Sequence, residues 1–321
     1  MEYIGKVLSL HRYPVKSMVG EDIQTAEVSR EGFYGDRVWA VRNLDANEQQ
    51  GARKLPKLLG IVATSAPRDR GHTAAPPLLR FPDGETIATD DPRASARVSH
   101  HLGKRVALVP LAPRSNFAHY RVGRFVDGGA LRREMGVNPG EDAPDMSSLP
   151  LKKLSELGIF ATPPGTYFDA YPIHVLTTAS LGFVASRSGN PNIDPRRYRP
   201  NIVVDSGETE ALLEAQWEGA RLEVGSCVLS IEAPTVRCSM PGRAQAVPGI
   251  DADKEVVRAV AQHADRHLGA YATVVRPGQI AVGDPVRLLS AEPRPIADRL
   301  RRLEQALSRR ALKWMMRDRD T

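Results

Sequence analysis

The stretch on which the fold prediction depends reads SCVLSIEAPTVRCSMPGR over residues 226–243. Its first half is an apolar, strand-like run that breaks at Pro234, and a loop follows in which Cys238 comes directly after Arg237. A thiol beside a fixed cation is biased toward the thiolate, which is the form that ligates metals or attacks electrophiles. Cys227 lies within the strand-like run and is expected to behave as a small buried hydrophobe. A packed thiol is the alternative reading for Cys238 as well.

The composition is that of an ordinary globular protein. A chain of 321 residues is long enough for two domains, and 41% hydrophobic with 26% charged residues is a common balance. Two cysteines cannot build a disulfide framework, which favours a reducing, cytoplasmic location. The N-terminus shows no signal-peptide pattern, and no apolar run approaches membrane-spanning length.

The positive charge is concentrated at the C-terminus. Residues 291–321 hold nine Lys and Arg against five Asp and Glu, and so carry +4 of the formal net charge of +6. The remaining balance gives no electrostatic case for nucleic-acid binding. Apolar residues recur in this tail at three- and four-residue spacing, which predicts a basic amphipathic helix. Such a helix could dock on the body of the protein, form a homodimer, or contact an anionic membrane surface.

Cations and hydroxyl groups recur where predicted strands end. They follow a first strand over residues 3–13, precede strands at 38–41 and 202–204, and open a helix after 171–178, where Thr178 suits the N-cap. Such loops suit a compact oxyanion such as phosphate, and a helix N-terminus adds unpaired N–H groups. Each loop alone could equally carry a solvated surface charge. The residues concerned are Lys16, Ser17, Arg37, Thr177, Thr178, Arg199 and Asn201.

The frequent Pro and Gly residues, with many short strand-like runs, predict an α+β fold that is mainly β. Residues 113–150 lack periodicity and are interpreted as a linker or lid. An amphipathic helix is predicted over 251–268, with His263 and His267 as surface residues because Ala264 stands where a zinc protease would need Glu. The predicted division is an N-terminal domain over 1–112, a linker over 113–150, a second domain over 151–290 and a C-terminal helix over 291–321.

Six motifs in order across residues 3–289 resemble the MOSC family, and in particular its two-domain branch with an N-terminal β-barrel domain. The motifs are YPVKS at 13–17, GDR at 35–37, LTTASL at 176–181, RYRPN at 197–201, RC at 237–238, and GAY at 269–271 with RPG at 276–278 and VGD at 282–284. The resemblance implies a MOSC-type β-barrel with peripheral helices.

The resemblance also implies a molybdenum ion held by the dithiolene of a pterin, with one protein thiolate on the metal. Carried over by position, Cys238 is then the metal ligand and catalytic residue, a soft donor for a sulfur-rich site. Lys16, Ser17 and Arg37 would grip the cofactor's phosphate and pterin, and Thr177, Thr178, Arg199, Asn201 and Arg237 would make further contacts. Pyridoxal phosphate is not expected.

The resemblance predicts an oxidoreductase that reduces N-hydroxylated or N-oxide small molecules. Electrons would come from a separate flavoprotein or iron–sulfur or haem protein, because no cysteine-bearing module follows the second domain. Relatives usually follow the Arg–Cys pair with a Thr-rich stretch ending in Asp-Pro, whereas this chain has SMPGR at 239–243. Two alternatives therefore stay open: sulfur transfer on a metal-free Cys238, and a non-catalytic carrier of the molybdenum cofactor.

Overall fold

The computed structural model describes residues 1–65, 75–123, 145–207 and 210–289, together with positions 129, 132 and 137. The strands in this part of the chain are β1 Glu2–Arg12, β2 Glu21–Ile23, β3 Thr25–Ser29, β4 Gly32–Phe33, β5 Trp39–Asn43, β6 Glu48–Gln49, β7 Val62–Thr64, β8 Leu78–Arg80, β9 Thr86–Ala88, β10 Val106–Pro110, β11 Ile173–Thr177, β12 Ile202–Asp205, β13 Arg221–Val224, β14 Cys227–Val236, β15 His267–Arg276, β16 Gly278–Ala281 and β17 Pro285–Leu289. The helices are α1 Ala94–Leu102, α2 Phe117–Tyr120, α3 Leu151–Ile159, α4 Thr178–Ser188 and α5 Glu255–His263.

Seven strands form a closed barrel in the order β12, β11, β15, β14, β13, β17 and β1, and β1 then pairs with β12. Closure leaves no unpaired edge in the ring. Inward-facing side chains fill the interior, among them Val7 and Leu10 of β1 and Leu229 and Ile231 of β14. Since β1 comes from the start of the chain, the barrel combines residues from both sides of the predicted boundary at 112.

β14 is longer than the sequence pattern predicted. The strand was expected to break at Pro234, but it runs to Val236, and Pro234 pairs with Ala270 of β15. The register between β14 and β15 shifts on both sides of Pro234. Proline lacks a backbone donor and is tolerated in a strand at such irregularities. The Arg237–Cys238 loop therefore begins directly at the end of a barrel strand.

The N-terminal half forms small antiparallel sheets around a separate core. β10, β5 and β6 make one sheet, and β7, β8 and β9 make another. Their core includes Met18, Leu58, Ile61, Leu79 and Phe81, all of them fully buried. A third small sheet pairs β3 with β4 and with β16 from the other half of the chain. The prediction of a mainly β fold with a MOSC-type barrel, peripheral helices and a smaller N-terminal β domain is confirmed.

α4 and α5 pack together on the outside of the barrel, with Leu176 of β11 and Leu268 of β15 beneath them. α4 ends at the predicted stop, Gly189, in the left-handed conformation. Its N-cap is Thr177 rather than the predicted Thr178, because the Thr177 side chain accepts the hydrogen bond from Ser180 N.

The helix predicted over 251–268 is shorter in the structure, where α5 spans Glu255–His263. α5 ends at His263, where the N–H groups of Ala264 and Arg266 both donate to the carbonyl of Val260. Asp265 and Arg266 then take positive φ angles of 47° and 62° before β15 begins at His267. Helices that end in the left-handed conformation usually do so at glycine, so a helix end at non-glycine residues is hard to predict from the sequence. His263 and His267 thus lie on different elements.

No helix among the described residues has the length and apolar character needed to cross a bilayer. Most of the predicted linker, and the whole predicted C-terminal helix from 291, lie outside the described residues.

Candidate functional site

Two loops of the N-terminal half, which carry several of the predicted site residues, are hydrogen-bonded to each other. The backbone N–H of Arg37 donates to the carbonyl of Tyr13 at 2.8 Å, and the N–H of Tyr13 donates to Asp36 Oδ1 at 2.7 Å. The N–H of Lys16 donates to the carbonyl of Trp39 at 2.8 Å. These bonds hold the loop that carries Lys16 and Ser17 against the turn that carries Arg37.

Arg37 is buried and positioned from several sides. It pairs with Asp36, and its Nη1 lies 3.5 Å from Asn201 Oδ1. The guanidinium carbon lies 5.1 Å from the centre of the Tyr13 ring and 5.8 Å from that of Phe168. Burial, the largest single influence, lowers the pKa of Arg37, but the attraction of Asp36, Asp169 and Tyr13 together outweighs it, so the pKa is raised.

Lys16 forms an ion pair with Asp169, a residue that the sequence analysis did not single out. Lys16 Nζ also donates to the carbonyl of Tyr167 at 3.1 Å. Burial lowers the pKa of Lys16 despite this partner. For Asp169, burial raises the pKa, but the charge and hydrogen bond of Lys16, with Arg37 and Arg53, hold it far below its ordinary value. A single aspartate four residues before a strand gives no sequence signal.

Arg199 is a buried cation that forms no ion pair with a carboxylate in the described part of the chain. Its guanidinium carbon lies 4.1 Å from the centre of the Tyr13 ring, and its Nη1 donates to the carbonyl of Met18. Its Nη2 is buried and has no hydrogen-bond partner among the described residues. Burial, and then repulsion from Arg37, lowers the pKa of Arg199 to about 10. This environment favours an anion at Nη2, where the described residues supply none.

Asn201 connects the two halves of the chain at the start of β12. Its Nδ2 donates to Asp36 Oδ2 at 3.1 Å and to the carbonyl of His11 at 3.3 Å, and its Oδ1 accepts from the N–H of His174 at 3.2 Å. The residue is completely buried. Its contacts therefore hold the Arg37 turn on the barrel.

Arg237 fixes the loop in front of Cys238. Its Nε and Nη2 donate to the carbonyl of Leu268 at 2.9 and 2.6 Å, and its Nη1 donates to the carbonyl of Tyr198 at 2.9 Å. Its Nη2 also contacts His174 Nε2. Burial, with the Arg237 charge, lowers the pKa of His174 well below its ordinary value, so the imidazole is neutral and accepts this bond. Cys238 follows with a half-buried side chain.

The charged groups converge on Tyr271 of β15, which faces outward from the barrel beside His174, with ring centres 6.3 Å apart. Burial raises the pKa of Tyr271, and the charges of Asp169, Arg237, Cys238 and Arg37 all act on it. Lys16, Arg37, Arg199 and Arg237 are called the cation cluster here because they share neighbours. The charges of Lys16 and Arg37 both act on Asp169, Arg37 and Arg199 both lie near the Tyr13 ring, and Arg37, Arg237 and the Cys238 thiol all act on Tyr271.

Three predicted site residues share an uncommon backbone conformation. Ser17, Arg37 and Arg199 have positive φ angles of 66°, 50° and 55°. Non-glycine residues rarely adopt this region, and such residues concentrate at functional sites. The hydroxyl of Ser17 lies against the backbone of Gly51, where an added Cβ would come within 2.6 Å of it. A side chain at 51 would thus displace Ser17.

Thr177 and Thr178 are not brought into this group. The parallel register places Thr177 opposite Val204, three residues along β12 from Asn201, or about 10 Å at the usual rise of a strand. The Thr177 hydroxyl is buried and caps α4. The Thr178 hydroxyl accepts from the N–H of Ser206 at 3.1 Å. Both hydroxyls are engaged in local structure.

The fold and site define a two-part β protein in which loops from both halves carry buried and half-buried cations, one of them directly before the half-buried thiol of Cys238. Comparison with known families gives this class a name. The MOSC domain matches residues 163–287, and the MOSC N-terminal beta barrel domain matches residues 4–97. The chain belongs to the two-domain MOSC proteins with an N-terminal barrel.

The curated human protein "Mitochondrial amidoxime-reducing component 1" is 26% identical over 322 residues, covering 90% of this chain and 84% of the human one. Among solved structures, the YUAD protein from Bacillus subtilis is 15% identical, covers 90% of this chain and 97% of its own, and has a TM-score of 0.41. YiiM from Geobacillus stearothermophilus is 17% identical, covers 37% of this chain and 55% of its own, and has a TM-score of 0.28. At these TM-scores the likeness carries no structural argument.

Proposed function

We propose that this protein is a molybdenum-cofactor-dependent oxidoreductase that reduces N-hydroxylated or N-oxide small molecules, with Cys238 as the protein's ligand to the metal. The observation that carries the proposal is a half-buried thiol directly after Arg237 of the cation cluster, in which Arg199 Nη2 has no hydrogen-bond partner among the described residues. A cofactor that brings both phosphate and a soft metal matches these two features together.

The side chains fit such a group. The cation cluster has four positive charges, and the carboxylates in contact with it are Asp36 and Asp169. An added phosphate would compensate the remaining positive charge and could accept a hydrogen bond from Arg199 Nη2. A thiolate is a donor that soft metals select. The MOSC family is associated with molybdenum-cofactor binding, and the name of the human relative points to reduction of an N-oxygenated compound.

The residues would divide the work. Lys16, Ser17, Arg37 and Arg199 would hold the anionic part of the cofactor, while Asn201 and Arg237 hold the loops that carry these groups. Arg237 leaves the direction of Cys238 little freedom, because three backbone and side-chain partners fix its guanidinium. The bound cofactor would supply a metal that can accept an oxygen atom and exchange two electrons. We assign Thr177 and Thr178 no contact with it.

The proposed reaction is a two-electron reduction. An N-hydroxylated substrate takes up two electrons and two protons, the N–O bond breaks, and the products are the reduced nitrogen compound and water. The electrons would come from a separate flavoprotein or iron–sulfur or haem protein, acting as the donor.

Metal analysis tests the proposal directly. Protein purified from a host that makes the cofactor should contain molybdenum and a fluorescent pterin in equal amounts, and Cys238→Ser should lose both the metal and the reduction of an amidoxime. Metal-free wild-type protein from such a host would contradict the proposal. Persulfide on Cys238 in that metal-free protein would instead favour sulfur transfer, and tightly bound cofactor without turnover would favour a carrier.

A further inference from the structure

The carboxylate of Asp169 lies over a cation that the proposed function assigns to the cofactor. Asp169 belongs to the loop between α3 and β11, and it forms an ion pair with Lys16, 153 positions earlier in the chain. The side chain of Lys16 is 11% exposed, whereas that of Asp169 is 71% exposed. The ammonium group is therefore enclosed by the protein, and the carboxylate lies on its solvent side.

Lys16 needs a counter-ion where it lies, because a buried ammonium group without a partner is costly. Its Nζ donates to the carbonyl of Tyr167 at 3.1 Å, and this neutral acceptor leaves the charge uncompensated. Asp169 is the carboxylate that forms an ion pair with Lys16 in the described part of the chain. The protein thus fills the anion position at Lys16 with one of its own side chains.

The surroundings of Asp169 keep this carboxylate ionised. Desolvation raises its pKa, but the charge and hydrogen bond of Lys16, with the charges of Arg37 and Arg53, hold the pKa far below its ordinary value. The same cations would attract a phosphate group. An ionised carboxylate among them would repel that phosphate, because like charges at a shared site disfavour each other.

The side chain of Asp169 can move while its backbone stays in place. Its neighbours Phe168 and Ala170 are buried, and Phe168 packs against Arg37, with 5.8 Å between its ring centre and the guanidinium carbon. The carboxylate itself is mostly exposed and accepts its hydrogen bond from Lys16 Nζ. Rotation about χ1 to another staggered position would carry the carboxylate away from Lys16. Lys16 could then donate to a phosphate oxygen without any movement of the loop.

We propose that Asp169 is an internal competitor of the cofactor: its carboxylate occupies the anion position at Lys16 in the cofactor-free protein and swings away when a phosphate group binds there. This inference rests on the proposed function, because it takes the cofactor's phosphate as the ligand of Lys16. The competition weakens the binding of any compact oxyanion at Lys16. A guest that also places a soft metal on Cys238 gains additional contacts and displaces the carboxylate, so Asp169 favours the complete cofactor over free phosphate.

The first test measures the binding of inorganic phosphate to metal-free protein by isothermal titration calorimetry at constant ionic strength. Asp169→Asn keeps the size and an acceptor oxygen of the side chain but removes its charge. The Kd for phosphate should fall about tenfold, the order expected when one charge is removed about 4 Å from an exposed anion. Asp45→Asn is the matched control, because Asp45 is an exposed aspartate that pairs with Arg105 instead, and it should leave the Kd unchanged.

A double-mutant cycle tests whether the effect acts through Lys16. If Asp169 competes for Lys16, the gain in phosphate affinity should disappear when Asp169→Asn is combined with Lys16→Met. Thermal unfolding separates this competition from a purely structural role. Without phosphate, Asp169→Asn should unfold at a lower temperature than the wild type, because Lys16 loses its counter-ion. With phosphate, the midpoint of Asp169→Asn should rise by more than that of the wild type, because a ligand that binds the folded state more tightly stabilises it more.

The outcomes separate this inference from the proposed function. A lower Kd in Asp169→Asn that returns to the wild-type value in the Lys16→Met background would support the competition, even in a protein that never binds molybdenum and so loses the proposed function. An unchanged or higher Kd in Asp169→Asn would overturn the competition, as would a gain that persists without Lys16 or the absence of phosphate binding in both proteins. The metal analysis of Cys238→Ser would then still decide the proposed function by itself.

Discussion

The two cysteines lie near opposite ends of the same strand, and their surroundings give them different chemistry. Cys227 opens β14 inside the barrel core and is completely buried. Burial raises the pKa of its thiol to about 11. Cys238 follows the other end of β14, roughly 30 Å away at the usual rise of a strand, in a half-buried loop that Arg237 fixes. The comparison teaches that position on the barrel, not residue type, decides which thiol can act.

The largest expected effect comes from exchanging each thiol for a hydroxyl. Cys238→Ser should reduce bound molybdenum and amidoxime reduction by more than about 100-fold. Mutation of even an outer-shell partner of a metal ligand lowers metal affinity or activity about 10- to 100-fold. Cys227→Ser should keep the metal but lower the free energy of unfolding by about 1–3 kcal/mol, because it buries a hydroxyl in the core. Metal analysis and denaturant unfolding measure the two losses. Similar metal loss in both variants would remove the distinction between the thiols.

The next effect tests whether the cations beside Cys238 complete the site. Arg199→Met removes the buried cation whose Nη2 has no hydrogen-bond partner in the part of the chain that the structure describes. We expect cofactor occupancy to fall by about 10- to 100-fold, as for other outer-shell losses. The matched control is Arg196→Met in the same loop, since Arg196 pairs with Asp194 and Asp22 instead. Equal cofactor occupancy in the two variants would show that the cofactor binds without Arg199.

The ordered motifs pointed to candidate site residues because these motifs encode local structure. Ser17, Arg37 and Arg199 occupy left-handed positions that short loops impose, and such loops keep a recognisable sequence. Cys238 was found in the same way, from the end of an apolar run. The sequence pattern could point to these residues because strand ends and turns are determined by local sequence.

The remaining parts depend on long-range packing. The pairing of β1 with β12 and β17 joins residues about 200 to 280 positions apart, and no local pattern specifies that register. Asp169 becomes a site residue only because Lys16 is folded against it. The family motif suggested a cofactor contact for Thr177, whereas long-range packing leaves its hydroxyl as the cap of α4.

A smaller effect concerns that hydroxyl. Thr177→Val keeps the shape of the side chain but removes the cap of α4, and should lower the free energy of unfolding by about 1 kcal/mol. Molybdenum content should not change, in contrast to Cys238→Ser. Thr178→Val is the neighbouring control, and it should also keep the metal. Loss of molybdenum from Thr177→Val with unchanged stability would restore the threonine to the cofactor site.

The smallest effect is the contribution of Cys227 to the pH dependence of the free energy of unfolding. Its folded pKa of about 11 lies above the ordinary value of 9.0, so the folded state favours the protonated thiol. The resulting stability is complete below pH 9.0 and is lost as the pH rises toward 11. At pH 9, where half of the unfolded thiols are ionised, the loss relative to pH 7 should be about 0.4 kcal/mol. Denaturant unfolding at the two pH values, with Cys227→Ala compared against Cys227 in a Cys238→Ser background, isolates this contribution. If the free energy of unfolding fell by the same amount between the two pH values in both proteins, the Cys227 thiol would not make this contribution.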